Sequence, residues 1–229
     1  MKYIGIIGAM QIEIDKLLSL MTNVDKKIIC NICYYMGNIN NSNVIICRCD
    51  EGKVNAAICT QTLIMSFDIK YIINVGVAGS LDNNLNIFDL VIAKNTVQHD
   101  YDITALGYEK GLVLGINKVY IPCDESLSKN MYLIAKQIGK AMYGTIASGD
   151  VFVTDENLKN SLKEKFNCIA VDMESAVIAH VCLFNNIPYI CMRVISDTGS
   201  KIEFREFLNE SVSKITDVIV NFLNKMEEK

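Results

Sequence analysis

Proline is nearly missing from this chain, 2 in 229 residues, and charged residues are 21% against 51% hydrophobic. That balance excludes a long disordered or proline-rich segment. No run of Lys and Arg occurs and the formal net charge is -4, so no basic field exists to draw in a polyanion, and no nucleic-acid partner is expected. No apolar run approaches the roughly 20 residues of a membrane span, so no membrane partner is expected either. The opening MKYIGIIGAMQ is too short in its apolar part for an export signal and reads as a first strand. Histidine is scarce, with 2 in the chain, and no Ser/His/Asp or Cys/His spacing suggests a nucleophilic triad or dyad. Internal repeats, linkers and low-complexity stretches are absent. Residues 1–229 are therefore expected to form a single domain with a sizeable core.

Cysteine, by contrast, is plentiful, with 9 residues, mostly within apolar runs such as VIICRC, YICMRV and AHVCLF. That usage fits buried thiols in a reducing cytoplasm, the expected location. Cys30 and Cys33 form a CxxC, but no second pair or nearby His completes a zinc set, so both read as strand cysteines and no metal is expected.

Apolar β-branched runs alternate with helical periodicity along the whole chain. The pattern predicts strands at 2–7, 71–75, 142–147, 168–171 and 188–194. It predicts helices at 13–21, 53–65, 125–139, 155–165, 173–185 and 204–226. Residues 27–37 and 43–49 read as a hairpin joined by NINNSN, and 88–98 as a further strand pair. The result is an α/β chain with a central, largely parallel sheet covered on both faces.

Three carboxylates fall at element ends, where α/β sites are usually assembled. Glu13 follows the first strand in GAMQIE, where Gly8 permits a tight turn or a close ligand approach. As an alternative, Glu13 is a first-turn acid favoured by the helix dipole. Glu174 stands in VDMES at the start of an apolar helix, as a site acid or a cap. Asp197 lies just past the buried strand of MRVISD. Arg193 on that strand needs a carboxylate nearby, and Glu13 or Glu174 is the expected supplier. In YIINVGVAGS, Gly76 and Gly79 bracket a turn that either exposes backbone N–H groups to a ligand or is only a turn. In ASGDVFVTD, Phe152 is either core or one wall of a slot for a flat ring, with Val153 backbone groups at the ring's edge. His180 reads as a satisfied core residue, and His99 as site-adjacent with a structural role favoured. A dinucleotide fingerprint is excluded, because GIIG lacks the third glycine and the acidic strand end.

Taken in order, GIIGAMQIE, NVGVAGSL, QHDYDITALGY, SGDVFV, AVDMESAVIAHVC and RVISD resemble the bacterial 5′-methylthioadenosine/S-adenosylhomocysteine nucleosidases of the purine nucleoside phosphorylase superfamily. The resemblance spans nearly the whole chain. It implies a three-layer-type phosphorylase/hydrolase-like fold, in which a central mixed β-sheet closes into a distorted barrel flanked by helices. It also implies a homodimer whose partner closes each pocket, and a small-molecule nucleoside substrate with no cofactor. By position, Glu13 matches the base that activates water and Asp197 the acid for the purine, with Ser196 orienting it. Met173 and Glu174 match the ribose contacts, Phe152 and Val153 the adenine slot, and Gly79 the turn beneath the nucleoside. Arg193 matches the group near the attacking water. Phe204 matches a further substrate contact, and Ile103, Leu106 and Tyr108 the 5′ pocket given by the partner.

Such an enzyme breaks an N-glycosidic bond, building positive charge on the ribose and negative charge on the departing purine. An acid at purine N7 and a base for water divide the work as in inverting glycosidases. Asp197 is expected to hold its proton by burial. Phosphorylase relatives carry arginines where this chain has Glu13 and Asn74, so water is the expected nucleophile. Asp50 and Glu51, Leu106, Val77 and a short 198–203 segment depart from the family pattern and bear on the 5′ substituent. The rival readings are a purine nucleoside phosphorylase, an aminofutalosine or futalosine hydrolase, and a nucleoside-binding protein without catalysis.

Overall fold

The structure, a computed structural model, describes residues 2–197 and 201–227, and the side chains of these except at 197 and 201–209. Contiguous β-branched runs form the innermost strands. β1 (Tyr3–Gly8), β5 (Ile69–Ser80) and β10 (Tyr189–Asp197) lie parallel, β5 between the other two. Ile6, Ile7, Ile72, Ile73, Ile190 and Val194 on them are fully buried. Strands covered on both faces read as unbroken apolar runs, and this is why the sequence reveals them.

β6 (Leu90–Gln98), β8 (Ala141–Ser148) and β9 (Cys168–Asp172) extend the sheet in the order β10-β6-β8-β9-β5. Because β10 also pairs with β5, these five strands close into a barrel with both parallel and antiparallel pairs. On the other flank β1 leads to β4 (Ser42–Arg48), β3 (Ile32–Ile39) and β2 (Thr22–Ile29). The two-residue β7 (Ile121–Pro122) pairs with β6.

Six α-helices flank this sheet among the described residues: α1 (Gln11–Ser19), α2 (Lys53–Ser66), α3 (Glu125–Ile138), α4 (Glu156–Phe166), α5 (Ser175–Phe184) and α6 (Lys201–Glu227). Asp124 and Asp155 cap α3 and α4 by accepting the N–H groups of Leu127 (2.9 Å) and Leu158 (2.8 Å). On α6, Val212, Ile215, Ile219 and Phe222 repeat at helical spacing and are buried to 5% exposure or less. Each such side chain contributes roughly 1.5–3 kcal/mol relative to exposure. No described helix is long and apolar enough to cross a membrane.

Four expectations are corrected. Two hairpins, not one, occupy 22–48, because β2 is polar and almost wholly exposed and so carries no alternating signal. Cys30 lies not in a strand but in the turn between β2 and β3, where it and Asn31 take positive φ values of 51 and 60. Residues 88–98 hold one strand, β6, whose partners come from elsewhere in the chain. Finally, the glycines of GVAGS make no turn: β5 runs straight through them to Ser80, and β10 runs through Asp197, which pairs with Gly79.

Candidate active site

Glu13 enters the site from the first turn of α1, with its carboxylate held, among the described residues, by peptide groups. Its Oε2 accepts the N–H of Ala9 (2.8 Å) and Met10 (2.9 Å), and its Oε1 that of Val77 (3.0 Å) on β5. The first-turn role and the site role therefore coexist. Two glycines make room for it. A Cβ on Gly76 would stand 2.8 Å from Oε1, and one on Gly8 would stand 2.7 Å from Ile14 Cγ2 and 3.4 Å from Oε2. Both glycines serve the placement of this acid and not a turn. Glu13 is 2% exposed, and burial raises its pKa above the ordinary 4.5 although the amides and Arg193 pull the other way. A carboxylate with raised proton affinity is better suited to take a proton from water near neutrality.

Glu174 occupies the residue before α5 but caps nothing with its side chain. Its Oε1 instead accepts the N–H of Gly52 (2.8 Å), at the start of α2. Burial, then the neighbouring charge of Asp172, push its pKa up to about 8.

Asp172 supplies the partner expected of Glu13 or Glu174. Its Oδ2 takes Nε (2.9 Å) and Nη2 (2.8 Å) of Arg193, and its Oδ1 takes the hydroxyls of Ser148 (2.5 Å) and Ser175 (3.1 Å). Arg193 also donates to Asn74 Oδ1 at 2.5 Å, while Asn74 donates to the carbonyl of Ile7 (2.9 Å). Arg193, 2% exposed, thus stands behind the cleft and ties β10, β5 and β9 together.

The loop after β8 forms the opposite wall. Gly149 packs on His99, so closely that a Cβ would stand 2.4 Å from Nε2. Asp150 accepts the N–H of Lys53 (2.7 Å) and donates its own to Asp100 (3.0 Å), which pairs with Lys53 Nζ (2.8 Å). Anchored in this way, the loop presents Phe152 with 43% of its surface exposed, so Phe152 is not core, while Val153 is buried. His99 itself is 4% exposed and serves as packing under that loop. His180 is half-buried, with Nδ1 3.3 Å from Gln98 Nε2.

These walls enclose a cleft of about 220 Å³. Of the residues singled out in the sequence, Glu13, Gly79, Phe152, Val153, Met173, Glu174 and Ser196 line it. Met10 and Asp172 line it too and were not anticipated as site residues, and so do Glu51 and Val77, two of the departures from the family pattern. Gly52, another omission, acts through a backbone N–H, which leaves no side-chain signal; its φ of 94 is the one hint at why glycine stands there. The side chains of Asp197 and Phe204 lie outside the described residues. Ile103, Leu106 and Tyr108 do not line this cleft, and Leu106 (72% exposed) and Tyr108 (46%) face outward. Four carboxylates and no Lys or Arg line the cleft among the described residues. The arrangement suits a substrate that gains positive charge and is unsuited to an inorganic phosphate dianion. No group of three or more His, Cys, Asp or Glu placed to hold a metal ion occurs among the described residues.

A closed mixed barrel with a carboxylate-lined cleft at its strand ends defines a class, and a phosphorylase superfamily profile matches residues 3–224. A 5′-methylthioadenosine/S-adenosylhomocysteine nucleosidase from Staphylococcus carnosus is 34% identical over 97% of this chain and 100% of its own. The crystal structure of such a nucleosidase from Neisseria meningitidis, in complex with methylthio-immucillin-A, superposes with a TM-score of 0.94. It is 30% identical and covers 98% of this chain and 100% of that one. A structure described as the native futalosine hydrolase of Helicobacter pylori superposes with a TM-score of 0.93 at 31% identity, covering 98% of both chains. The chain belongs to the phosphorylase superfamily and, within it, to the 5′-methylthioadenosine/S-adenosylhomocysteine nucleosidases, which are glycosidic hydrolases.

Proposed function

We propose that this chain hydrolyses the N-glycosidic bond of 5′-methylthioadenosine and S-adenosylhomocysteine, releasing adenine and a 5-thio-ribose. The observation that carries the reading is Glu13: a buried carboxylate held, among the described residues, by peptide N–H groups, with raised proton affinity, at the floor of the cleft. In the reaction, the C1′–N9 electron pair leaves with the purine while Asp197 gives a proton to N7. Water adds to C1′, and Glu13 takes its proton. Each such general catalyst is worth roughly 10²–10⁴-fold. Phe152 stacks on the purine, Val153 reads its edge, and Glu174 with Met173 meets the ribose. A positive charge growing on the sugar favours the ionised form of Glu174, against the burial that otherwise raises its pKa to about 8. Arg193, occupied by Asp172, holds the floor rigid and draws Glu13 toward its carboxylate form.

The same reading includes a homodimer. Val54, Ile58 and Met65 on α2 and Phe184 on α5 are exposed large apolar side chains on two helices that pack together. In that homodimer, as the family likeness implies, Ile103, Leu106 and Tyr108 of one copy complete the 5′ side of the other's cleft.

Hydrolysis of the futalosine class is the second reading, favoured by the superposition on the Helicobacter pylori structure. Adenine release from purified protein, with and without phosphate, over methylthioadenosine, adenosylhomocysteine and aminofutalosine decides between them. Release from the two thioethers without phosphate is expected. A phosphate requirement, or activity confined to aminofutalosine, would refute the proposal.

A further inference from the structure

Glu51 lines the cleft, is exposed, and has no role in the chemistry above. Its placement is fixed by an unusual backbone. Asp50 and Gly52 on either side take positive φ values of 62 and 94, turning the end of β4 sharply into α2. The carbonyl of Glu51 accepts Asn55 Nδ2 (2.8 Å), and the next residue's N–H holds Glu174. The Glu51 side chain is thus set beside the acid assigned to the sugar hydroxyls. Its neighbour Asp50 is paired with Arg48 at 2.8 Å, whereas Glu51 takes part in no ion pair among the described residues. With the purine against Phe152, the anomeric carbon at Glu13 and the hydroxyls at Glu174, the exposed polar lining left over among the described residues is Glu51. The part of the substrate left to meet it is the 5′ substituent.

We infer that Glu51 reads the charge of that substituent, favouring a cationic tail over a neutral one and disfavouring an anionic tail most. The inference rests on the proposed nucleosidase reading and deepens it. Met10 and Met173 line the same cleft and suit the alkyl thioether stem common to all such tails. No Lys or Arg lines the cleft among the described residues, so an anionic tail finds no counter-charge there. An ammonium at the mouth meets an unpaired carboxylate.

The test uses three adenosine 5′-thioethers of similar size: aminoethylthio, propylthio and carboxymethylthio. The readout is the ratio of their kcat/KM values for adenine release. Wild type is expected to rank them in that order. In Glu51→Gln, the aminoethyl-to-propyl ratio should fall by about three- to tenfold and the carboxymethyl-to-propyl ratio should rise. In 1 M salt, where the screening length is about 3 Å, the wild-type preference should shrink as well. Ratios that Glu51→Gln leaves within twofold of wild type, with adenine still released, would overturn the inference alone. Release of adenine from none of the three by wild type would overturn the nucleosidase reading beneath it.

Discussion

Asp172 and Glu13 are acids of the same barrel mouth, both buried, and they differ in what surrounds them. A guanidinium and two hydroxyls meet Asp172. Among the described residues, the hydrogen bonds to Glu13 come from peptide N–H groups, and burial leaves its proton affinity raised. Burial by itself therefore does not mark a reactive acid. Among the described residues the buried positive charge of the site, Arg193, is given to Asp172, and the acid on the floor is left mainly with dipoles. One carboxylate braces the strands, and the other is free to exchange a proton.

The contrast breaks if the two acids can be swapped in effect. Glu13→Gln should lower kcat by about 10²–10⁴-fold. Its cost in urea unfolding should be only the roughly 1–3 kcal/mol of mismatched amide partners. Asp172→Asn should do the opposite, leaving Arg193 buried without a counter-charge at a cost of about 3–5 kcal/mol in the same unfolding experiment. Equal stability losses in the two variants would erase the distinction. Away from the acids, Phe152→Ala should raise KM by about 5- to 100-fold, given the roughly 1–3 kcal/mol of base stacking on an aromatic ring. An unchanged KM would remove Phe152 from the purine wall.

A further effect sharpens the comparison through pH. Glu174 has a pKa of about 8 in the folded chain against an ordinary value of 4.5. Below about pH 4.5 both folded and unfolded states hold the proton, and burial costs nothing. As pH climbs from about 4.5 to about 8 the unfolded state releases it first, so stability falls, and above that range the loss is constant. Glu174→Gln should flatten this part of the stability profile measured by denaturant at a series of pH values. An unaltered slope would show that the carboxyl is not held protonated.

The sequence made the sheet's interior legible because β1, β5 and β10 are buried on both faces and their apolar runs are continuous. β2 was hidden for the converse reason, since TNVDKKII faces solvent and pairs along one edge only. Gly76 misled, because a glycine in a run suggests a turn, whereas this one clears space for a carboxylate from another element. The site's acids were legible as residues but not as partners. Glu13 and Glu174 were the partners expected for Arg193, and the register of β9, β10 and β5 gives it Asp172 instead. The order of the family motifs carried the rest, including residues such as Val153 and Met173 whose chemistry alone says little.

Adenine release from methylthioadenosine in phosphate-free buffer, followed from about pH 4 to 8, tests the role of Glu13 most directly. Turnover without phosphate is expected, with kcat/KM rising with pH as Glu13 ionises, on an acid limb above its ordinary value of 4.5 that Glu13→Gln abolishes. Turnover that needs phosphate, or an acid limb retained in Glu13→Gln at wild-type rate, would contradict it.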